Sequence, residues 1–496
     1  MVKRRMIRRR EALGALLGAP AALRGARRTP GDKPNLLFLW TDQQRADTLA
    51  VYGQPRYRVP ALNRLAAESV VFDRFYVTQP VCTPSRSSVM TGAWPHANGC
   101  MRNNIPLPAS VKALPELLSD SAYRTGYMGK WHLGDEVFAQ HGFQEWAAIE
   151  DSYRRHFSAG RDRNARSAYH HFLAGLGYKP GPENAFSRQF VTTLPVDHSK
   201  PSFLAAEASK FILKYRSEPW ILYVNFLEPH SPYSSALDDL HSEEEAPLPR
   251  NHPGVPEGPE PAWYKRRRVG LQKPKGPEGL DLRTSAGWQR LNRNYAGLCS
   301  LVDQAVGRIL WALEASGQSE NTIIAFSSDH GDMMGSHSLL AKQIMYEESV
   351  RVPFLLRVPF WRQKPQVVRQ PASHINTVPT LLELLGKKDC CGLPGESLVA
   401  LLDGRRRSEA HVFIEWTRAE DEPDGPNART VVSLEGWKLV LHDTDQSMLF
   451  DRNKDPLEMH NLYGRAEHGA VEKILRKKLD LWRRKTRDEG FAPSGA

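Results

Sequence analysis

In the stretch Asn35-Leu36-Leu37-Phe38-Leu39-Trp40-Thr41-Asp42-Gln43, five apolar residues run without a break and then give way abruptly to polar ones. The run is too short for an ordinary helix and has no polar face. It therefore reads as a strand covered on both sides by helices in a parallel sheet. Two further segments share this character, Trp220 to Phe226 (WILYVNF) and Thr322 to Phe326 (TIIAF). Polar clusters follow the three strands, namely Thr41-Asp42-Gln43, Glu228-Pro229-His230 and Ser328-Asp329-His330. Ligands of open α/β sheets bind beyond the carboxyl ends of parallel strands, so three neighbouring strands would bring all three clusters to one edge.

Helix-like patterns at residues 60–69, 114–121, 204–215 and 295–316 lie between the strands, which makes the order α/β. Residues 231–290 are rich in proline, glycine and charge, and read as a long surface insertion. The run Lys265 to Arg268 within it could meet an anionic polymer or could simply be solvated. From about residue 400 short alternating segments appear, at 411–416, 429–433 and 437–442, and an amphipathic stretch at 470–487 closes the chain. The expected organisation is a leader over residues 1–29, a large domain over 30–400 and a small C-terminal domain over 401–496. The expected fold is an α/β large domain with a mostly parallel sheet sandwiched by helices, plus a smaller α+β domain with an antiparallel sheet.

The 496 residues carry a formal charge of +11, but the excess is concentrated at one end. Residues 1–28 hold nine lysines and arginines against Glu11 alone, which leaves only +3 for the rest. That balance argues against a nucleic-acid partner. A basic segment followed by the short apolar stretch Ala12 to Leu23 reads as an export signal, and Arg9-Arg10 points to the twin-arginine type. The mature chain is then expected in the periplasm or outside the cell, free of the membrane, since no later apolar run is long enough to span a bilayer. Five cysteines make no disulfide framework, and the adjacent Cys390-Cys391 are poorly placed to pair with each other.

Pro84 in Pro80-Val81-Cys82-Thr83-Pro84-Ser85-Arg86 suits the first turn of a helix, with Cys82 at its electropositive end and Arg86 one turn on. Such a thiol is acidified and reactive, although spacing alone leaves a structural thiol equally open. The segment CTPSR, followed by Thr91-Gly92, closely resembles the formylglycine signature of the sulfatase family, the formylglycine-dependent type I sulfatases of the alkaline-phosphatase-like superfamily. Gly126 to His132 (GYMGKWH), Pro229 to Tyr233, Ser328 to Asp332, Lys342 with Tyr346 to Ser349, and Leu449 through Leu462 match further family segments, so the resemblance covers roughly residues 34–465.

The resemblance implies a sulfuric ester hydrolase that cleaves a sulfate monoester to alcohol and inorganic sulfate. A separate maturation enzyme would convert Cys82 to formylglycine, whose hydrated aldehyde offers one hydroxyl to attack sulfur and another to expel sulfate. By the same resemblance Arg86 holds the diol, His132 assists it, Lys130 and Lys342 grip sulfate oxygens, and His230 protonates the leaving alcohol. Asp42, Gln43, the modified Cys82, Asp329 and His330 would bind one divalent metal. Gln43 stands where many relatives have an aspartate, and His330 where some have asparagine. An oxygen-rich set favours Ca²⁺, with Mg²⁺ and Mn²⁺ as alternatives. Because this metal set also occurs in hydrolases of phosphonate monoesters and phosphodiesters, the implied substrate is an aryl or carbohydrate sulfate with a phosphorus ester as the alternative. A third reading is a binding protein whose cysteine is never modified.

Overall fold

The computed structural model describes residues 33–493 apart from 54–55, 362–365, 388–391, 408–409 and 421. The export signal and the Cys390-Cys391 pair lie outside the described residues.

Strand β1 (Asn35–Asp42) is buried along its whole length and is hydrogen-bonded in parallel to two other strands. These are the two expected from their apolar runs, β6 (Trp220–Pro229) and β7 (Thr322–Ser328). The remaining strands, in chain order, are β2 (Val70–Phe72), β3 (Phe75–Tyr76), β4 (Arg124–Gly129), β5 (Glu145–Ala148), β8 (Phe354–Arg357), β9 (Val367–Val368), β10 (Ala372–Ser373), β11 (Val412–Trp416), β12 (Ala428–Val432), β13 (Trp437–His442) and β14 (Met448–Asp451). The central sheet runs β5-β4-β6-β1-β7-β8-β2-β9. Its first five strands are parallel, while β8 is antiparallel to both β7 and β2.

Alternate residues of β1 serve two cores. Leu36, Phe38 and Trp40 join one with Val89 and Met90 of the helix Cys82–Thr91. Leu37 and Leu39 join another with Leu62, Leu204, Phe211, Leu291 and Val302, from helices Pro60–Ala67, Lys200–Lys214 and Ser285–Ala315. The result is a sheet with helices on both faces, as expected.

Several boundaries differ from the sequence reading for local reasons. The expected helix at 114–121 stops at Leu118, because Ser119 turns left-handed at φ 54°. The helix expected from Leu204 begins at Lys200, because the Ser199 side chain accepts the Ser202 backbone N–H. The helix expected from Tyr295 begins ten residues earlier, capped by Thr284, and so takes the last residues of the supposed insertion. By length and composition this helix could cross a membrane, but 78% of its most apolar window is buried inside the fold. The run Lys265 to Arg268 is likewise not on a loop, since it belongs to the helix Ala262–Gly270, whose Trp263 and Tyr264 are buried. All three of its arginines are engaged, Arg266 with the Asp424 carbonyl, Arg267 with Gln343 and Arg268 with Glu260.

Strands β11-β12-β13-β14 form the separate antiparallel sheet. One face packs on Leu475, Leu479 and Trp482 of the closing helix Gly469–Thr486. Val412, Ile414, Val440 and Phe450 instead belong to the same core as Phe38 and Trp40. The small sheet is therefore welded to the large one.

Candidate active site

The parallel register brings the polar clusters together. Asp42 pairs with Pro229 across β1 and β6, and Thr41 with Ser328 across β1 and β7. On the far side of β6, Gly129 pairs with Asn225, which puts Lys130 at the same carboxyl edge. Only glycine fits at position 129, because φ is 124° and a Cβ would come within 1.9 Å of the Asn225 carbonyl oxygen.

The helix Cys82–Thr91 points its N-terminus at this edge, and all ten of its residues are buried. Around Cys82 Sγ lie Lys342 Nζ at 3.0 Å, His330 Nε2 at 3.4 Å, both Asp42 carboxylate oxygens at 3.7 Å and Lys130 Nζ at 3.8 Å. Burial and Asp42 push the thiol pKa up, but Lys130, Lys342 and His330 outweigh them and bring it down to about 7. Burial also opposes ionisation of Asp42, yet Lys130 at 2.6 Å and the other nearby cations hold its carboxyl well below the usual range.

Arg86 is fully buried and spends its fork on the scaffold. Its Nη2 donates to Asp42 Oδ2 and its Nε to Asp329 Oδ2, both at 2.9 Å, while Nη1 donates to the Lys130 carbonyl at 2.7 Å and to Asn225 Oδ1 at 2.8 Å. Those bonds go to the carboxylates and carbonyls around Cys82, and none reaches Sγ.

Asp42, Cys82, Asp329 and His330 each offer a ligand atom, and the four atoms lie within 4.8 Å of one another. Gln43 fits beside them in an informative way. Its Nε2 donates to Tyr233 Oη at 2.8 Å and also to Asp332, whereas its buried Oε1 has no hydrogen-bond partner. An orphaned, buried carbonyl oxygen on the residue that follows Asp42, with its backbone N–H donating to Asp329, suits a cation site. The donor set is therefore compatible with one divalent ion.

The two other histidines flank this centre. His132 stacks on Tyr153 with ring centroids 4.1 Å apart, its Nε2 meets Asn104 Oδ1 at 2.9 Å, and its buried Nδ1 is unpartnered. His230 Nδ1 lies 2.6 Å from the Ser231 carbonyl, which leaves Nε2 for a ligand. Burial first, then Lys130 for His132 and Lys342 for His230, hold both imidazoles well below their ordinary range.

Sequence reasoning assigned no role to Asn225, Asp332, Tyr233, Asn104 or Tyr153. Asn225 had a signal, as the polar interruption of an apolar strand. The segment that carries Lys342 is secured by the C-terminal sheet. Lys438 of β13 lies 3.2 Å from Glu347 and 2.8 Å from Glu458, and Glu458 accepts the Glu347 N–H at 2.9 Å. Among the described residues Cys82, Cys100 and Cys299 are free thiols.

Known proteins resemble this chain in sequence and in fold. The sulfatase family profile matches residues 34–387, and the profile of the N-sulphoglucosamine sulphohydrolase C-terminal region matches 335–485. An ulvan-active sulfatase from Formosa agariphila is 29% identical over 466 residues, covering 90% of this chain and 80% of its own. A solved structure of a protein in complex with its substrate D-glucosamine-2-N,6-O-disulfate superposes with a TM-score of 0.76 at 21% identity, over 92% of this chain and 99% of that one. A phosphonate monoester hydrolase from Silicibacter pomeroyi gives 0.75 at 21%, over 92% and 96%. With its profile match across most of the length, an alkaline-phosphatase-like sheet and reactive groups gathered on one edge of it, the chain belongs to the sulfatase family of enzymes.

Proposed function

We propose that this sulfatase cleaves a carbohydrate sulfate monoester, using a formylglycine derived from Cys82 and one divalent cation, Ca²⁺ in the first place. The observation that carries the reading is the convergence of Lys342, Lys130, Asp42 and His330 on Cys82 Sγ at the mouth of a buried helix N-terminus. A lone structural thiol has no use for two lysines and two carboxylates within reach. The carbohydrate substrate draws support from the Formosa relative and from the disulfated glucosamine bound to the superposed protein.

Asp42, Gln43, Asp329, His330 and residue 82 would hold the cation, which when bound polarises a sulfate oxygen and balances the two carboxylates. The hydrated formylglycine would supply the attacking hydroxyl, together with a second one whose deprotonation releases sulfate. The chain's own groups do the rest. Lys130 and Lys342 bracket the sulfate oxygens on which negative charge accumulates. Arg86 keeps Asp42 and Asp329 in fixed relation. His132 Nδ1 accepts a proton from the residue-82 side, and His230 Nε2 donates one to the departing alcohol oxygen. Burial, then Lys342, depresses His230, and a sulfate anion beside Lys342 would offset the Lys342 part of that effect. The basic and apolar leader supports export to the periplasm or beyond.

Two measurements on protein from a host with the maturation enzyme test the proposal: the mass of the peptide containing Cys82, and turnover of paired aryl sulfate and aryl phosphonate esters. The expected results are loss of the thiol mass in favour of the aldehyde and a preference for sulfate. An intact thiol in active enzyme refutes the nucleophile, and a strong preference for the phosphonate replaces the substrate class.

A further inference from the structure

Arg188 borders two spaces beside His230. One is a small inner cavity of about 30 Å³ shared with His230, Glu228 and Lys200. The other is an open cleft of about 640 Å³ shared with Ser231, Pro232 and Glu278. The guanidinium is fixed on one side only. Its Nε donates to Glu150 Oε2 at 2.8 Å, and its Nη2 donates both to that oxygen and to Tyr153 Oη at 2.9 Å. Among the described residues Nη1 makes no hydrogen bond, and the side chain is 24% exposed. Glu150 is simultaneously bonded to Lys200, so one buried carboxylate answers two cations. Glu228, which lines the inner cavity with Arg188, is buried with Oε2 unpartnered, and desolvation raises its pKa to about 7. Tyr153 links this group to the reaction centre, because the ring that receives Nη2 at its hydroxyl is the ring stacked on His132.

An arginine held in place at one edge, with a free edge facing a cleft and surplus positive charge around it, is organised to receive a planar or tetrahedral anion. The anion cannot be the scissile sulfate, whose place is between Lys130 and Lys342. We propose that Arg188 binds a second anionic group, a carboxylate or another sulfo group, carried on the alcohol half of the ester, and so selects doubly anionic sugars. This rests on the sulfate-ester reading for its substrate class. Glu278 opposes such a group across the cleft and is restrained by accepting the Tyr233 N–H at 2.8 Å.

Binding separates this inference from turnover. Calorimetry on the full chain carrying Cys82→Ala, in calcium buffer, would use three probes: N-acetylglucosamine 6-sulfate with one anion, D-glucosamine-2-N,6-O-disulfate with a second sulfo group, and glucuronate 2-sulfate with a carboxylate. The expected result is that one or both doubly anionic probes bind more tightly than the singly anionic one. Adding Arg188→Gln should shrink that advantage roughly 10- to 100-fold, the worth of a charged hydrogen bond. Glu278→Gln should enlarge it, and the two doubly anionic probes tell carboxylate from sulfo recognition. The proposal is overturned if no probe gains from its second anion, or if Arg188→Gln weakens all three equally. Absence of sulfate turnover by the matured enzyme with residue 82 unsubstituted, with the binding advantage intact, would instead count against the proposed chemistry and leave Arg188 standing.

Discussion

Replacing Arg86 by alanine removes four hydrogen bonds from a fully buried centre, two to carboxylates and two to neutral oxygens. Asp42 retains Lys130 at 2.6 Å, so the damage falls on Asp329, whose other basic neighbour is the His330 imidazole at 3.4 Å. Bonds to charged groups contribute about 1.5–3 kcal/mol each and neutral ones about 1 kcal/mol, while relief from burying a guanidinium offsets part of the sum. The expected net loss is about 3–5 kcal/mol, the usual cost of breaking a buried pair from one side. In urea, with a slope of about 3 kcal/mol per molar, the midpoint should fall by about 1 M or more. Chelator should expose the whole loss, and saturating Ca²⁺ should reduce it by replacing part of the missing positive charge. The double variant with Asp329→Asn should lose clearly less than the two single losses added together, with a coupling of about 1–3 kcal/mol. A loss below about 1 kcal/mol in chelator, or simple additivity, would refute the view of Arg86 as the clamp between the carboxylates.

Lys342→Ala and Lys130→Ala should both slow sulfate turnover by about 10²–10³-fold, the cost of a missing charge stabiliser. Only Lys130→Ala should also lower the urea midpoint, because Lys130 pairs with buried Asp42 whereas Lys342 is 3.9 Å from it; equal stability losses would contradict that division. Gln43→Ala should raise the Ca²⁺ concentration for half-maximal activity by about tenfold, the size of effect seen when support for a metal is removed, and an unchanged calcium titration would exclude Gln43 Oε1 as a ligand. His96 reaches Glu415 at 2.9 Å, and although burial lowers its pKa, the Glu415 hydrogen bond raises it overall. The contribution of this pair is therefore complete below the unfolded histidine pKa of about 6.5 and fades as pH climbs through the folded value. The melting-temperature gap between wild type and His96→Gln should be widest near pH 6 and close in alkali, so a gap that widens with pH would reverse the assignment.

The core of the fold was legible because it was written in contiguous residues. Five apolar side chains before Asp42 and similar runs before Glu228 and Asp329 state both a doubly covered sheet and the edge where polar groups collect. Cys82 and Pro84 gave the helix start directly, since proline at its third residue is local chemistry. Less could be read where the deciding contact is distant in sequence. Arg86 appears one turn from Cys82 and invites a role on it, yet the adjacency of β1 and β7 hands its donors to Asp42 and Asp329. The first ten residues of the helix Ser285–Ala315 were hidden because Gln289, Arg290 and Arg293 obscure the apolar period set by Trp288 and Leu291. Trp263 and Tyr264, next to four basic residues, look like loop residues until the C-terminal sheet covers them.

The burial of the whole segment Cys82–Thr91 sets a timetable. In the finished fold residue 82 is 1% exposed, so an enzyme that modifies it would have to reach it before the fold closes. Strand β7, which closes one side of the site, begins at Thr322, more than two hundred residues downstream. At a synthesis rate of about 5–20 residues per second, the cysteine emerges from the ribosome roughly 10–50 s before the wall that will seal it exists. Under the proposed chemistry, oxidation of this side chain would therefore belong to the life of the nascent chain, before β7 closes the site.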